Sequence, residues 1–546
     1  MKTNEILIKK TDKSVTETVV RQMSKLKDDM LNIIKFENAV YRFDKVGAYR
    51  DIFNPIYNPK GEKNVTFPAI GVKNLVIDGC GATFLFEDRV YPFIAQKSEN
   101  IVFRNFTIDF SFPRYAYTRV VDAGENGFTL EIVQKDLSYK INEKNNLVFR
   151  TGSGEISTGK RKFFIQNITN ESNSYLCVGD TEDNLNDLPA AVVFTEAEDL
   201  GGGRLRFAYR GGSCKFNCKS GDTVVLSYDE NRENSVFFID ECRNVHFDNV
   251  RIYRGAGFGI LAHLSENIHI ENCFFGIPED RKDTEIISIT ADLMHFVNCS
   301  GTALIENNIF EDCLDDAVNI HGQYIGVKEV LPDNQIEADF FRTTHSCKHL
   351  YYKGDRLTLI DGKTKEEKGK VTVLDVECED LPNTNILRVK FAENIEDMIA
   401  PGDLLENPMQ MPVVVIKGNK ITNCPHMRLS SSKYMEISNN LLRLNRYSIY
   451  ISDLMQYWHE SGRVHSVLIE KNVFEDMSPS GNAGGVAIRQ EREGSHKYYH
   501  ENIIIRENKF KLRNGAAINA EDVINLSCEN NDLGGSEVKI NNCIKL

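Results

Sequence analysis

Two short segments hold a dense set of side chains able to do chemistry. Asp292-Leu-Met-His295-Phe-Val-Asn298 is followed by Leu314-Asp315-Asp316-Ala-Val-Asn319-Ile-His321-Gly322; Asp292 precedes Asp315 by 23 residues, as Asn298 precedes His321. Carboxylates crowded together cannot all ionise freely, so one is pushed toward holding a proton near neutral pH while another stays a base. Glycoside hydrolysis uses such a pair: one carboxyl protonates the departing oxygen, and another activates water or attacks the sugar. Each Asp taken singly is equally a turn residue that bonds backbone groups. Three of them, with His295, Asn319 and His321 at matching offsets, point to a site.

What must position these residues is a repeat. Phrases of alternating apolar and polar residues ending in Asn recur along the chain, among them Asn100-Ile-Val-Phe-Arg-Asn105, Asn244-Val-His-Phe-Asp-Asn249, Asn267-Ile-His-Ile-Glu-Asn272 and Ala303-Leu-Ile-Glu-Asn307, with later copies ending at Asn419, Asn440, Asn472, Asn508 and Asn531. Period-two alternation is strand periodicity, and Asn suits a turn because it tolerates left-handed backbone. Asn244 to Asn267, Asn249 to Asn272 and Asn508 to Asn531 are each 23 residues apart. That spacing, without helical stretches between, predicts an all-β chain folded as a right-handed parallel β-helix; a leucine-rich repeat has a similar period but its Leu pattern is missing. Stacked coils would then set Asp292 beside Asp315 and Asn298 beside His321, about 4.8 Å apart at the backbone. Neighbouring Asp315 and Asp316 can share a face only if the strand bends there.

The rhythm breaks twice. Residues 115–232 and 323–412 carry Gly-Asp turns followed by apolar residues, as in Ser220-Gly-Asp-Thr-Val-Val-Leu226 and Lys353-Gly-Asp-Arg-Leu-Thr-Leu359, and read as two small antiparallel β-barrels inserted between coils. The expected organisation is a helical cap and lead-in strand at 1–45, coils at 46–114, 233–322 and 413–546, and the two barrels between them. A helical spell from Val15 to Ile34 would close the open end of the solenoid.

Composition narrows the partners. With 65 basic and 79 acidic residues and a net charge of −14, the chain lacks the basic excess of a phosphate-neutralising surface, which argues against nucleic acid. No stretch is apolar enough to cross a bilayer, and the N-terminus lacks the apolar run of a signal peptide, so the chain as given reads as cytoplasmic, or as secreted or periplasmic if a signal has been removed. Thirteen scattered cysteines suit reduced, buried thiols, and the Cys214/Cys218 pair lacks the companions of a zinc site. No metal and no cofactor is expected.

Four motifs in order, Asp292-Leu-Met-His-Phe, Leu314-Asp-Asp-Ala-Val-Asn-Ile-His-Gly322, Asn423-Cys-Pro-His-Met-Arg428 and Trp458-His-Glu-Ser-Gly462, resemble those of glycoside hydrolase family 110; Ile77-Asp-Gly-Cys-Gly81 is shared more widely among β-helix enzymes. The resemblance runs from about residue 40 onward. It implies an exo-acting, inverting α-galactosidase that removes terminal α-1,3-linked galactose, including from blood-group-B-type glycans. It further implies Asp292, Asp315 and Asp316 as catalytic carboxylates, with His295, Asn319, His321, Arg428 and Glu460 holding galactose hydroxyls. Trp458, the one tryptophan, is a candidate for stacking on the sugar. After Arg428 the family tends toward a Gly-containing segment, whereas this chain reads Leu429-Ser-Ser-Ser-Lys433, a changed wall for the sugar. The run Glu491-Arg-Glu-Gly-Ser-His496 reads as a solvated loop.

Two other functions fit the same fold. A polysaccharide lyase or polygalacturonase-like enzyme would need basic groups for an acidic polymer, and the candidate site offers Asp with His instead. A non-catalytic glycan-binding solenoid would have little reason to crowd three carboxylates. On stereochemistry, the stack of Asp292 on Asp315 favours the roughly 5 Å separation of retaining enzymes, while the resemblance implies inversion.

Overall fold

The computed structural model describes residues 2–545 apart from 88, 113–114, 135–136, 142–146, 152–153, 158–161, 170–171, 180–193, 210–219, 228–233, 340–348, 381–384, 444–446, 455–457, 477–483, 491, 493, 495–496 and 514. Cys214, Cys218, Glu491 and His496 lie outside the described residues. The architecture is a parallel β-helix. One long sheet of 20 strands and a second of 13 wind around a shared apolar core, with nearly every pairing within the coils parallel.

Local chemistry explains why the coils stack. Asn74, Asn100, Asn244 and Asn267 all take φ between 54° and 57°, the left-handed turn that Asn tolerates. Their amides are joined from coil to coil: Asn100 Nδ2 donates to Asn74 Oδ1 at 2.9 Å, Asn244 to Asn100 at 2.9 Å and Asn267 to Asn244 at 3.1 Å. A second ladder, buried, runs Asn308, Asn419, Asn440, Asn472, Asn508, Asn531, each Nδ2 donating to the next Oδ1 at 2.9–3.1 Å. Satisfying these amides inside the turns removes the desolvation cost that buried polar groups otherwise carry. Between the turns, Phe67, Phe93 and Phe237 stack with centroids 4.3 and 4.4 Å apart.

The open end is closed by a helix of eight residues, Thr16–Met23. Val15, Val19 and Met23, four residues apart, form one apolar face buried in the solenoid core, with the helix packed against the strand Gly61–Ile70, as helical periodicity requires. The helical spell is shorter than its pattern suggested. Met30–Phe36 is a strand, paired in parallel with Lys2–Ile8 before it and with Lys73–Phe86 after it, because Asn32 through Phe36 alternate burial with period two. No helix among the described residues is long and apolar enough to cross a membrane.

Two antiparallel units interrupt the coils. The first contains a seven-stranded sheet, from Tyr115–Gly124 to Thr223–Ser227, and a three-stranded one. The second is a closed barrel of six strands, from Ile325–Leu331 to Leu404–Glu406. It leaves the solenoid immediately after the strand Val318–Gln323, and the chain returns so that Asn319 pairs with Arg428. Side chains more than a hundred positions apart thereby become neighbours.

Candidate active site

The site lies on the 13-stranded sheet, where Met294–Val297, Val318–Gln323, Met427–Leu429 and Tyr447–Ile451 are successive rungs. Alternation sends Met294, Phe296, Val318 and Ile320 into the core. The residues between them face the other way. One column reads His295, Asn319, Arg428, Tyr450 from coil to coil.

The register differs from the sequence spacing by one residue. Val297 lies opposite His321, 24 residues on, not Asn298, and Leu293 N–H donates to the Asp316 carbonyl at 2.9 Å, so Asp292 stands in register with Asp316 on the next rung and not with Asp315. Coil length is set by turns, and these vary: Asp240 pairs with His263, but His263 pairs with Val297. The spacing of one coil therefore does not fix the register of the next.

Glu460 arrives by another route. The strand Glu460–Ser461 runs antiparallel to Val318–Gln323, with Gly322 opposite Ser461 and Gln323 opposite Glu460. Gly322 permits this approach: a Cβ there would meet Met411 Cε and Ser461 Oγ at 2.5 Å.

Arg428 is the electrostatic centre. Its Nε lies 3.6 Å from Asp316 Oδ2 and 3.8 Å from Glu460 Oε2, and its guanidinium sits 4.6 Å from the Tyr450 ring centroid, a cation–π contact. Burial pushes the Asp316 carboxyl well above the usual range; Arg428 opposes this, while Asp292, Asp315 and Glu460 reinforce it. Asn319 Nδ2 donates to Glu460 Oε1 at 3.4 Å. Asp292 Oδ2 lies 2.6 Å from His295 Nδ1, and His295 Nε2 lies 2.9 Å from His321 Nε2. Burial lowers the His321 pKa to about 4, against the pull of Glu460. Asp315, half-buried, stands at the edge of the cluster.

Asp316 Oδ1, Asn319 Oδ1, Gln323 Nε2, Arg428 Nη1 and Glu460 Oε2 are buried without a hydrogen-bond partner among the described residues. Buried polar atoms left this way are costly unless a polar ligand meets them. Donors and acceptors are mixed, as sugar hydroxyls require.

The structure thus gathers Asp292, His295, Asp316, Asn319, His321, Arg428 and Glu460. Trp458 joins them through Tyr57, whose ring centroid is 5.8 Å from Trp458 and 4.9 Å from His295. Tyr57, Gln323 and Tyr450 escaped the sequence reading. Gln323 continues the outward alternation of Asn319 and His321, which was a usable signal, and Tyr450 follows Arg428 by one rung. Tyr57 sits in a loop with no repeat to betray it.

Two groups place three potential metal-ligand atoms within 4.8 Å of one another among the described residues: His295, His321 and Glu460 in the site, and His246, His269 and Glu271 on the outer surface. In the first, the nitrogens are 2.9 Å apart, a hydrogen-bond distance shorter than the about 3.3 Å between two nitrogens on one tetrahedral zinc. In the second, His246 Nε2 meets Glu271 Oε1 at 2.9 Å.

Comparison with known proteins adds to this geometry. The chain is 25% identical over 518 residues to an α-1,3-galactosidase B of Akkermansia muciniphila, 25% over 485 residues to an α-1,3-galactosidase A of Shewanella woodyi, and 26% over 518 residues to an α-1,3-galactosidase B of Phocaeicola vulgatus. The chain is similar over most of its length to proteins named α-1,3-galactosidase. The alignments cover 91%, 87% and 91% of it, and 61%, 76% and 82% of those proteins, so it spans less than two thirds of the first relative's length. The resemblance read from the motifs is thereby supported over most of the chain. No protein-family model matches. Among solved structures, the A-module of a mannuronan C-5 epimerase of Azotobacter vinelandii is 9% identical, with a TM-score of 0.36 and coverage of 96% and 92%.

Proposed function

We propose that the chain is a glycoside hydrolase that removes terminal α-1,3-linked galactose by carboxylate acid and base catalysis, with inversion. The observation that carries this is the convergence of Asp316 and Glu460 on the buried Arg428, with Asp292 close enough to raise the Asp316 pKa, in a chain whose curated relatives are named for that activity. One carboxyl of the cluster protonates the glycosidic oxygen while another takes a proton from the attacking water. Arg428, Asn319, Gln323 and Glu460 hold the sugar, and Trp458 with Tyr57 forms an aromatic wall beside it. The substrate is neutral. Arg428 is already shared between two carboxylates, which leaves little positive charge to bind an acidic polymer.

Incubation with aryl α-galactosides and a panel of α-linked disaccharides tests the reading. Free galactose released fastest from the α-1,3-linked member is expected. An unsaturated product would mean a lyase, and binding without turnover a carbohydrate-binding solenoid; either would overturn it.

A further inference from the structure

A second polar cleft, of about 200 Å³, lies at the neck where the six-stranded barrel joins the solenoid. The strand Glu460–Ser461 divides it from the catalytic cluster, and consecutive side chains of a strand face opposite ways: Glu460 reaches Arg428 at 3.8 Å, whereas Ser461 stands beside Glu406, which lines the cleft. Four cations line it, Lys365, Lys370, Lys433 and Arg463, against two carboxyls, Glu367 and Glu406, in a chain whose net charge is −14. The carboxyls do not cancel them. Glu367 lies 3.9 Å from Lys370, and burial lifts the Glu406 carboxyl to about 7 against the pull of Arg463, so near neutral pH it holds a proton much of the time. Lys433 and Arg463 form no ion pair among the described residues, and Arg463 is steadied by its Nε, which donates to the Tyr499 carbonyl. Glu406 Oε1 and Ser432 Oγ are buried without a hydrogen-bond partner among the described residues, a cost that a polar ligand would relieve. The segment 429–433, singled out above as a changed wall, ends here. Ser430 Oγ donates to the Ser452 carbonyl at 2.8 Å and Ser431 Oγ to the Pro412 carbonyl at 2.7 Å, while Ser432 and Lys433 open into the cleft.

Size and lining select the ligand. Sites for drug-sized molecules run to about 300–1,000 Å³, so this cleft takes a group of about one sugar ring. Lys433 and Arg463 call for an anion, and Ser432 with a protonated Glu406 offers partners for hydroxyls. Ile360 and Pro408 add an apolar wall, which suits the C–H face of a ring and which a bare inorganic ion would leave unused. We propose that the cleft is a second saccharide site for one acidic sugar residue, its carboxylate held by Lys433 and Arg463 and its hydroxyls by Ser432 and Glu406. No bond is made or broken there. Arg428 is already shared between two carboxylates in the catalytic cluster, so recognition of a charged sugar belongs to this cleft and not to the galactose site.

Calorimetric titration of the full chain with D-glucuronate at pH 7 tests this, and its C4 configuration, opposite to that of galactose, keeps it apart from the catalytic cluster. A dissociation constant of about 1 mM or tighter is expected. D-Glucose, the same ring without the carboxylate, should bind at least about tenfold more weakly, as should sulfate, which carries charge without a ring. Glucose binding equally well would overturn the recognition of charge, and sulfate binding equally well would mean an adventitious anion patch and overturn the saccharide site. The Lys433 ammonium makes no polar contact among the described residues, so Lys433→Met should melt like the parent while weakening glucuronate at least about tenfold. Arg463→Lys keeps the charge but loses the fork and should weaken it about threefold or more. Parental affinity in Lys433→Met would place the ligand elsewhere and overturn the proposal. Galactose release from an aryl α-galactoside should stay within about twofold of the parent in Lys433→Met; a loss there as large as the loss of glucuronate binding would make the cleft part of the catalytic site and overturn its independence. The binding measurements stand or fall without any turnover, so failure of the hydrolase reading is told apart from failure of this one.

Discussion

Asp316 lies one rung beyond Asp292, its backbone carbonyl accepting the Leu293 N–H at 2.9 Å. The two residues are therefore in register on neighbouring rungs, and their carboxylates interact electrostatically. Asp292→Asn and Asp316→Asn keep shape but lose proton chemistry, so each should cut kcat by about 10³-fold or more with the melting temperature nearly unchanged. Asp315→Asn, from the more open edge, should fall in the same direction. Steady-state kinetics beside thermal melts of the three variants check this, and near-normal turnover in all three would refute the site.

The same rung raises the question of stereochemistry. Backbones about 4.8 Å apart bring carboxyls toward the spacing of retaining enzymes, whereas inversion leaves about 6.5–9.5 Å for a water. Glu460, entering from an antiparallel strand, and Asp315, at the edge, are the other carboxylates that could flank the water of an inverting reaction. Proton NMR of the earliest product should show β-galactose before mutarotation. If α-galactose comes first, inversion is wrong and the Asp292–Asp316 rung itself becomes the catalytic pair.

Arg428 lowers the Asp316 pKa against the effect of burial. Arg428→Lys keeps the charge but loses the planar fork and its seat over Tyr450, so it is not conservative here. A fall of about 100-fold in kcat/KM is expected. Arg428→Met, which removes the charge, should raise the Asp316 pKa further and shift the acid limb of the pH profile upward. An unmoved limb would show that Asp316 does not titrate in the working range.

Stability should respond to pH through two buried groups of opposite sign. Burial raises the Glu406 carboxyl from 4.5 to about 7, so the folded chain keeps a proton the unfolded chain has lost, and stability drains as pH rises from 4.5 to 7. Burial lowers His500 from 6.5 to about 3, so the unfolded chain takes up a proton the folded one refuses, and stability drains as pH falls below 6.5. Glu406→Gln should therefore gain on the parent above pH 7, by up to about 3 kcal/mol. His500→Gln should gain on it toward pH 4. Urea titrations at pH 4.5, 6 and 8 would expose parallel curves, which would contradict both assignments.

The fold was legible because its signals are local: turn asparagines, alternating strands and the Gly-Asp turns of the insertions each declare themselves within a few residues. The acidic cluster was legible for the same reason, since Asp292 precedes Asp315 and Asp316 by a single coil. Register was not. The register of Asp292 with Asp316 depends on turn lengths that no single spacing reveals, and the helix stops at Met23, well before strand alternation takes over in Met30–Phe36. Tyr57 was missed because tertiary placement, not a repeat, brings it to the site, whereas Gln323 lies one step further along the alternation of Asn319 and His321.

The buried asparagine ladder also bears on how the chain is made. Asn308 donates both its backbone N–H and its Nδ2 to Asn419 Oδ1, 111 residues later. During synthesis the first coils must therefore wait, with the Asn308 N–H unpaired and its Nδ2 held only by the Ile270 carbonyl at 3.0 Å, until the whole second barrel has emerged and the next coil arrives. Each later rung closes on a shorter delay: 21 residues to Asn440, 32 to Asn472, 36 to Asn508, 23 to Asn531. A nascent chain halted before residue 419 carries an exposed sheet edge topped by an unfilled amide socket, the form in which this protein is most prone to capture a strand from a neighbour.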